Sequence, residues 1–80
     1  MLRIVWPQTI LEVLADLPTK ERDLILEEVD RLERFPHMYP LRGKGRFRRY
    51  RWFFVANWLV YYRVVGDEVY IRALWTARIP

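Results

Sequence analysis

The second half of the chain contains three runs of aromatic and β-branched residues separated by turn signals, and this pattern restricts the possible fold most. The runs are residues 47–55, 58–64 and 69–75. An Ala-Asn pair at 56–57 separates the first two, and a Val-Gly-Asp-Glu sequence at 65–68 separates the last two. Asn and Gly tolerate the positive φ that tight hairpin turns require. The sequence therefore predicts three consecutive strands joined as hairpins.

The first half of the chain predicts one strand and two helices. Residues 2–6 favour a strand, which Pro7 ends. The apolar residues of the first helix recur at helical spacing at Ile10, Val13, Leu14 and Leu17. Those of the second helix are Ile25, Val29 and Leu32, with Leu24 and Phe35 widening the stripe. Pro18 is expected to separate the two helices, and Thr19 to cap the second one.

These elements predict an α+β fold with the order β-α-α-β-β-β in a single domain spanning residues 1–80. The very short link between the helices predicts a helical hairpin. We expect this hairpin to pack on one face of a mainly antiparallel four-stranded sheet.

The length and residue types limit what can stabilise such a chain. A domain of 80 residues buries only about 60% of its unfolded surface, so its core is expected to be thin. Without cysteine there is no disulfide, and a lone His37 cannot form a zinc site. We therefore expect no metal or cofactor, and a protein partner as the external support. No signal peptide or membrane-length apolar run is visible, so a cytoplasmic location without membrane contact is expected.

Charge is distributed very unevenly along the chain. Residues 1–40 contain five Lys or Arg against eight Asp or Glu, whereas residues 41–80 contain nine against two. A basic half of this kind indicates a polyanionic target or an acidic protein partner. A soluble arginine-rich surface without a specific ligand remains the alternative.

Residues 41–51 carry most of this positive charge, with six cationic side chains among eleven residues. If the strand begins at Phe47, alternation places Arg49 and Arg51 on the face of Phe47, and Arg48 on the other face. Arginine binds phosphate in a bidentate manner, and nearby aromatic residues offer stacking surfaces for bases. The pattern thus predicts a site for phosphate or carboxylate. The alternative is that these arginines are solvated charges that protect a sheet edge from aggregation.

Other candidate residues lie outside the basic segment. We expect His37 to be an exposed loop residue rather than a catalytic base. The arginines predicted to bind a partner or target are Arg42, Arg48, Arg63 and Arg72. No carboxylate pair, catalytic triad, phosphate-binding glycine loop or metal-ligand cluster is visible.

Three segments, in this order and spacing, resemble the RelE/ParE superfamily of toxins from type II toxin–antitoxin modules. Residues 40–45, PLRGKG, are similar to the family's PL-(K/R)-G step into the sheet. Residues 58–64, WLVYYRV, resemble its Y-(R/L)-(V/I)-x-Y-R-V strand, and residues 69–78 resemble its C-terminal V-x-I-L-x-(L/W)-H-x-x-R pattern. The resemblance covers nearly the whole chain.

The resemblance implies a growth-inhibiting toxin with one of two activities. RelE-like members cleave messenger RNA on the ribosome without a metal, whereas ParE-like members poison DNA gyrase. An acidic antitoxin protein is the implied partner in both cases. If the chain is a nuclease, the catalytic residues implied are Lys44, Arg46, Arg49, Arg51 and Arg78, with Tyr50 as a further candidate.

The chain departs from the nuclease pattern at two positions. Leu59 stands where many nuclease members carry arginine, and Thr76 stands where many carry histidine. Arginine stabilises a developing phosphorane charge but does not exchange protons, so Tyr50 and Lys44 would have to perform acid–base catalysis. These features favour a gyrase poison over a ribosome-dependent endonuclease. A non-toxic basic nucleic-acid-binding module is the third possibility.

Overall fold

Two helices lie against one face of a four-stranded sheet. The computed structural model describes residues 1–76. The elements follow in the order β1 Arg3–Val5, α1 Gln8–Ala15, α2 Thr19–Asp30, a short 3₁₀ turn Arg31–Glu33, β2 Arg51–Val55, β3 Trp58–Val65 and β4 Glu68–Thr76. The strands are arranged β1-β4-β3-β2, with β1 parallel to β4 and the other pairs antiparallel. The α+β fold predicted from the sequence is confirmed.

The two predicted hairpin turns are present and have the expected backbone geometry. Ala56 and Asn57 both have positive φ, at 51° and 65°, between β2 and β3. Gly66, with φ of 60°, begins the turn between β3 and β4. Positive φ at these positions matches the right-handed twist of the flanking strands, so each hairpin keeps its register.

The main core lies between the helices and the sheet. Its members come from both helices, the 3₁₀ turn and three strands: Ile10, Leu14, Ile25, Val29, Leu32, Phe53, Val60, Tyr62, Val69, Ile71 and Leu74. In the described part of the chain no helix is both long and apolar enough to cross a membrane.

Two details of the helices differ from the expectations. Leu24 and Phe35 are 43% and 60% exposed, so they do not widen the buried stripe of the second helix. Leu24 lies beside the narrow arc of α2 that meets the sheet, whereas Phe35 follows the 3₁₀ turn and is not part of the helix. Thr19 does not cap α2, because Pro18 occupies the N-cap position and Thr19 is the first helical residue.

A β-bulge in β4 determines which side chains reach each face of the sheet. Tyr61 pairs with Ala73, but the next residue, Tyr62, pairs with Ile71, so Arg72 is the extra residue of β4. The bulge lets Ile71 and Leu74 both enter the main core although they are three positions apart. Arg72 interrupts the apolar strand because it is the bulged residue.

Tyr62 fixes the loop that follows the helices to the sheet. Its ring is fully buried, and its hydroxyl donates a 2.7 Å hydrogen bond to the carbonyl oxygen of Pro36. Nearby, Tyr39 stacks on Phe53 with ring centroids 4.3 Å apart and donates a hydrogen bond to the Glu28 carboxylate. Burial, with the Glu28 contact adding to it, raises the pKa of Tyr39.

Replacing Tyr62 with Phe should remove the hydroxyl that satisfies the Pro36 carbonyl. We expect the free energy of unfolding near neutral pH to fall by about 1–2 kcal/mol in urea titrations. Tyr70→Phe is the matched control, because Tyr70 is exposed and its hydroxyl donates to the Glu68 carboxylate at the surface, and it should cost less than about 0.5 kcal/mol.

The difference in unfolding free energy between the wild type and Tyr62→Phe should depend on pH in the alkaline range. Burial raises the pKa of Tyr62 from 10.0 to about 12, so the neutral phenol is favoured in the folded state. Its contribution to stability is therefore complete below pH 10 and is lost as the pH rises toward about 12. The difference between the wild type and Tyr62→Phe should shrink over this interval; a constant difference would contradict the assignment.

Candidate functional site

The sheet face opposite the helices, called the open face below, carries two rows of apolar residues that run across the strands. One row is Phe54, Leu59 and Trp75, and the other is Trp52, Tyr61 and Ala73. Phe54 and Trp75 are 60% and 46% exposed, respectively. No helix covers this face in the described part of the chain.

Phe47 closes one part of the open face and forms a second, smaller core there. Its ring stacks on Tyr61 with centroids 4.3 Å apart and an interplanar angle of 14°, and it meets Trp75 edge-on at 5.1 Å. Phe47 and Tyr61 are only 7% and 3% exposed. This contact fixes the segment before β2 onto the sheet, although no helix or strand contains Phe47.

The segment around Phe47 is a folded loop, which corrects the expectation that the strand begins there. We call residues 42–49 the cationic loop. Arg49 has φ of 75° and Gly45 has φ of 87°, which are incompatible with an extended strand. The Arg42 amide donates to the Tyr50 carbonyl at 2.8 Å, and the Arg49 amide donates to the Arg42 carbonyl at 3.1 Å. The expected alternation of arginines between two sheet faces therefore fails, and β2 starts at Arg51.

The cationic loop gathers four of the ten predicted site residues around one surface concavity: Lys44, Arg46, Arg48 and Arg49. Its lining residues are Gly43, Lys44, Gly45, Arg46, Arg48 and Arg49. The side chains of Lys44, Arg48 and Arg49 are exposed and form no hydrogen bond or ion pair with any residue from 1 to 76. The two ion pairs in this part of the chain lie elsewhere, at Arg3–Glu68 and Arg31–Glu28.

Three other arginines of the predicted site lie over aromatic rings. The guanidinium groups of Arg46 and Arg72 lie 5.6 and 5.7 Å from the centroid of Phe47. Arg63 lies 5.9 Å from the centroid of Tyr50. Such cation–π contacts hold positive charge next to the small core without neutralising it.

Arg51 belongs to a neighbouring arrangement and has a structural contact. Its Nη1 donates to the Tyr39 carbonyl at 2.7 Å and to the His37 carbonyl at 3.4 Å. A second concavity beside it is lined by His37, Leu41, Arg49, Arg51, Arg63 and Val64. The sequence did not predict that His37 lies near these arginines, because they come from separate segments of the chain that meet only in the folded structure.

The remaining predicted residues are dispersed. Tyr50 is not among the residues lining the concavity of the cationic loop; it lines a different depression with Arg63, Tyr70 and Arg72. Arg42 is exposed at the start of the loop, and Arg78 lies outside the described residues. Within residues 1–76 no group of three or more His, Asp or Glu side chains is placed to hold a metal ion.

Comparison with known proteins identifies the class of this fold. Residues 4–79 match the family model described as the ParE toxin of the type II toxin–antitoxin system, parDE. No curated protein sequence matched the chain. The match covers nearly all of the chain, so the protein belongs to the ParE toxin family, within the RelE/ParE superfamily that the sequence motifs resemble. It is therefore the toxin component of a type II toxin–antitoxin system, a class that implies an antitoxin partner.

Phe47→Ala should detach the cationic loop from the open face. Removing the buried ring should lower the free energy of unfolding by about 3 kcal/mol or more, measured in urea. Because the loop is rich in trypsin sites, limited trypsin digestion should cut it faster than in the wild type. Phe35→Ala, which removes a 60% exposed ring on the helical side, should leave both quantities nearly unchanged. Equal trypsin rates for Phe47→Ala and the wild type would contradict an anchoring role.

Proposed function

We propose that the protein inhibits DNA gyrase by binding it through the open face and the cationic loop, and that it does so without catalysing a reaction. The observation that supports this most is the juxtaposition of exposed aromatic rings with unpaired cations. Phe54 and Trp75 protrude from the open face, and Lys44 and Arg48 extend from the loop beside it. Trp, Tyr, Phe and Arg are the residues enriched where proteins bind proteins tightly.

Leu59 supports binding over catalysis. It is half-buried against the small core around Phe47. In the resemblance to the superfamily, this is the strand position where many nuclease-type members carry arginine. This position therefore contributes packing and no charge for a transition state. The two acid–base candidates of the sequence do not line the same concavity, since Lys44 lines that of the cationic loop and Tyr50 lines another depression.

An acidic antitoxin is the partner that fits this surface. No Asp or Glu occurs between Glu33 and Asp67, so the cationic loop and its surroundings carry an uncompensated positive charge. Acidic side chains of an antitoxin would pair with the loop while its apolar side chains cover the aromatic rows. An antitoxin bound to this surface would prevent the target from binding there, so it would neutralise the toxin by competition.

One observation favours a second candidate function, ribosome-dependent RNA cleavage. His37 lines the same concavity as Arg49, Arg51 and Arg63. Histidine can exchange a proton near neutral pH, and the arginines could stabilise a phosphorane. This arrangement would place an acid–base group beside arginines, which do not exchange protons themselves.

Gyrase inhibition tests the first candidate directly. The purified toxin should inhibit supercoiling of relaxed plasmid by gyrase. Phe54→Ala should weaken inhibition by about tenfold or more, as expected for an interface aromatic. Phe35→Ala, with equal exposure on the helical side, should inhibit like the wild type. Wild-type toxin that leaves supercoiling unchanged while cutting messenger RNA in a translation extract, with loss of cutting in His37→Gln, would establish the second candidate instead.

A further inference from the structure

We propose that the cationic loop binds the phosphate backbone of duplex DNA, so that the toxin contacts the DNA held by its target as well as the target protein. The biological setting of this inference rests on the proposed gyrase inhibition. The binding site itself rests on the geometry of the loop. Its ligand is double-stranded DNA recognised through phosphates, without readout of base sequence.

The loop presents its charge in a fixed arrangement. Hydrogen bonds between Arg42 and Tyr50 and between Arg49 and Arg42 close its base, and the buried Phe47 ring holds its centre. Because the loop backbone is already folded, phosphate binding orders only the cationic side chains and does not also have to order the loop. A fixed cluster is therefore a better phosphate site than a flexible basic segment with the same composition.

The charge of the loop is uncompensated within the described chain. Lys44, Arg48 and Arg49 have no ion-pair partner, and the Arg46 guanidinium lies over a ring that leaves its charge intact. Together they surround one concavity. Neutralising four phosphates would release condensed counterions and favour binding at low salt.

The aromatic residues of the loop argue for duplex over single-stranded nucleic acid. Proteins that bind unpaired strands stack bases on exposed aromatic rings. Phe47 cannot act in this way, because it is 7% exposed and already stacked on Tyr61. Tyr50 is half-buried, meets Phe47 edge-on and lies beneath Arg63. The loop itself therefore offers phosphate contacts without stacking surfaces, as duplex backbone binding requires, and the exposed rings of Phe54 and Trp75 belong to the strands of the open face.

The first test is the salt dependence of binding to a fluorescently labelled duplex of random sequence, followed by anisotropy. For the full chain, a plot of the logarithm of the association constant against that of KCl concentration should have a slope of roughly −3 to −4 for four phosphates. A slope near zero would overturn the inference. Tighter binding of the corresponding single strand would also overturn it, because the site would then recognise unpaired nucleic acid.

Matched double variants locate the contact. Lys44→Gln with Arg48→Gln should make the slope less steep by about two and weaken duplex binding about tenfold or more at low salt. Neither residue has a positive φ, so glutamine fits the backbone there. Lys20→Gln with Arg34→Gln removes the same two residue types from exposed positions on the helical side and should leave the slope unchanged. Equal effects of the two double variants would overturn the assignment to the loop.

Supercoiling assays on the same proteins separate this inference from the proposed function. Wild-type toxin that inhibits gyrase, together with a loop variant that binds duplex as the wild type does, would refute the DNA contact and leave gyrase inhibition standing. Wild-type toxin that binds duplex with the expected slope but does not inhibit gyrase would refute the proposed function and retain the DNA site. Loss of both duplex binding and inhibitory potency in the loop variant is the result we expect.

Discussion

The stacking of Phe47 on Tyr61 is the contact on which the functional surface depends. The helices already cover one face of the sheet, and no other helix or strand among residues 1–76 covers the opposite face. A single aromatic side chain from a loop closes part of that face and buries Tyr61 and Ala73 beneath it. Phe47 is also a residue of the cationic loop. One packing contact therefore both stabilises the open face and fixes the position of the loop that bears the positive charges.

The β-bulge at Arg72 complements this contact. By adding one residue to β4, the bulge keeps Ile71 and Leu74 in the main core and still directs a guanidinium group toward Phe47 from the sheet side. Arg46 approaches the same ring from the loop side. Positive charge is thus held against an apolar platform, and exposed aromatic residues remain available beside it. This combination suits a surface that must bind a protein target and also be covered by an acidic antitoxin.

The sequence predicted the order of elements, both hairpins and the α+β arrangement, because these follow from local periodicity and from turn residues with positive φ. It placed the start of the second strand wrongly, at Phe47, since alternating aromatic and basic residues also suit a strand. Arg49 has a positive φ, which breaks the alternation. Arginine rarely adopts this conformation, so nothing in the sequence predicts it at this position. The association of His37 with Arg49 and Arg51 depends on contacts between distant segments, which local patterns do not contain.

Hydrogen exchange of the backbone amides of Arg42 and Arg49 is the most direct test of the central claim, that Phe47 holds the cationic loop in one conformation. Both amides donate to carbonyl groups within the loop region. In the free wild-type protein they should exchange at least about tenfold more slowly than in an unstructured peptide, and this protection should disappear in Phe47→Ala while β3 remains protected. Unprotected amides in the wild type, or unchanged protection in Phe47→Ala, would contradict the account.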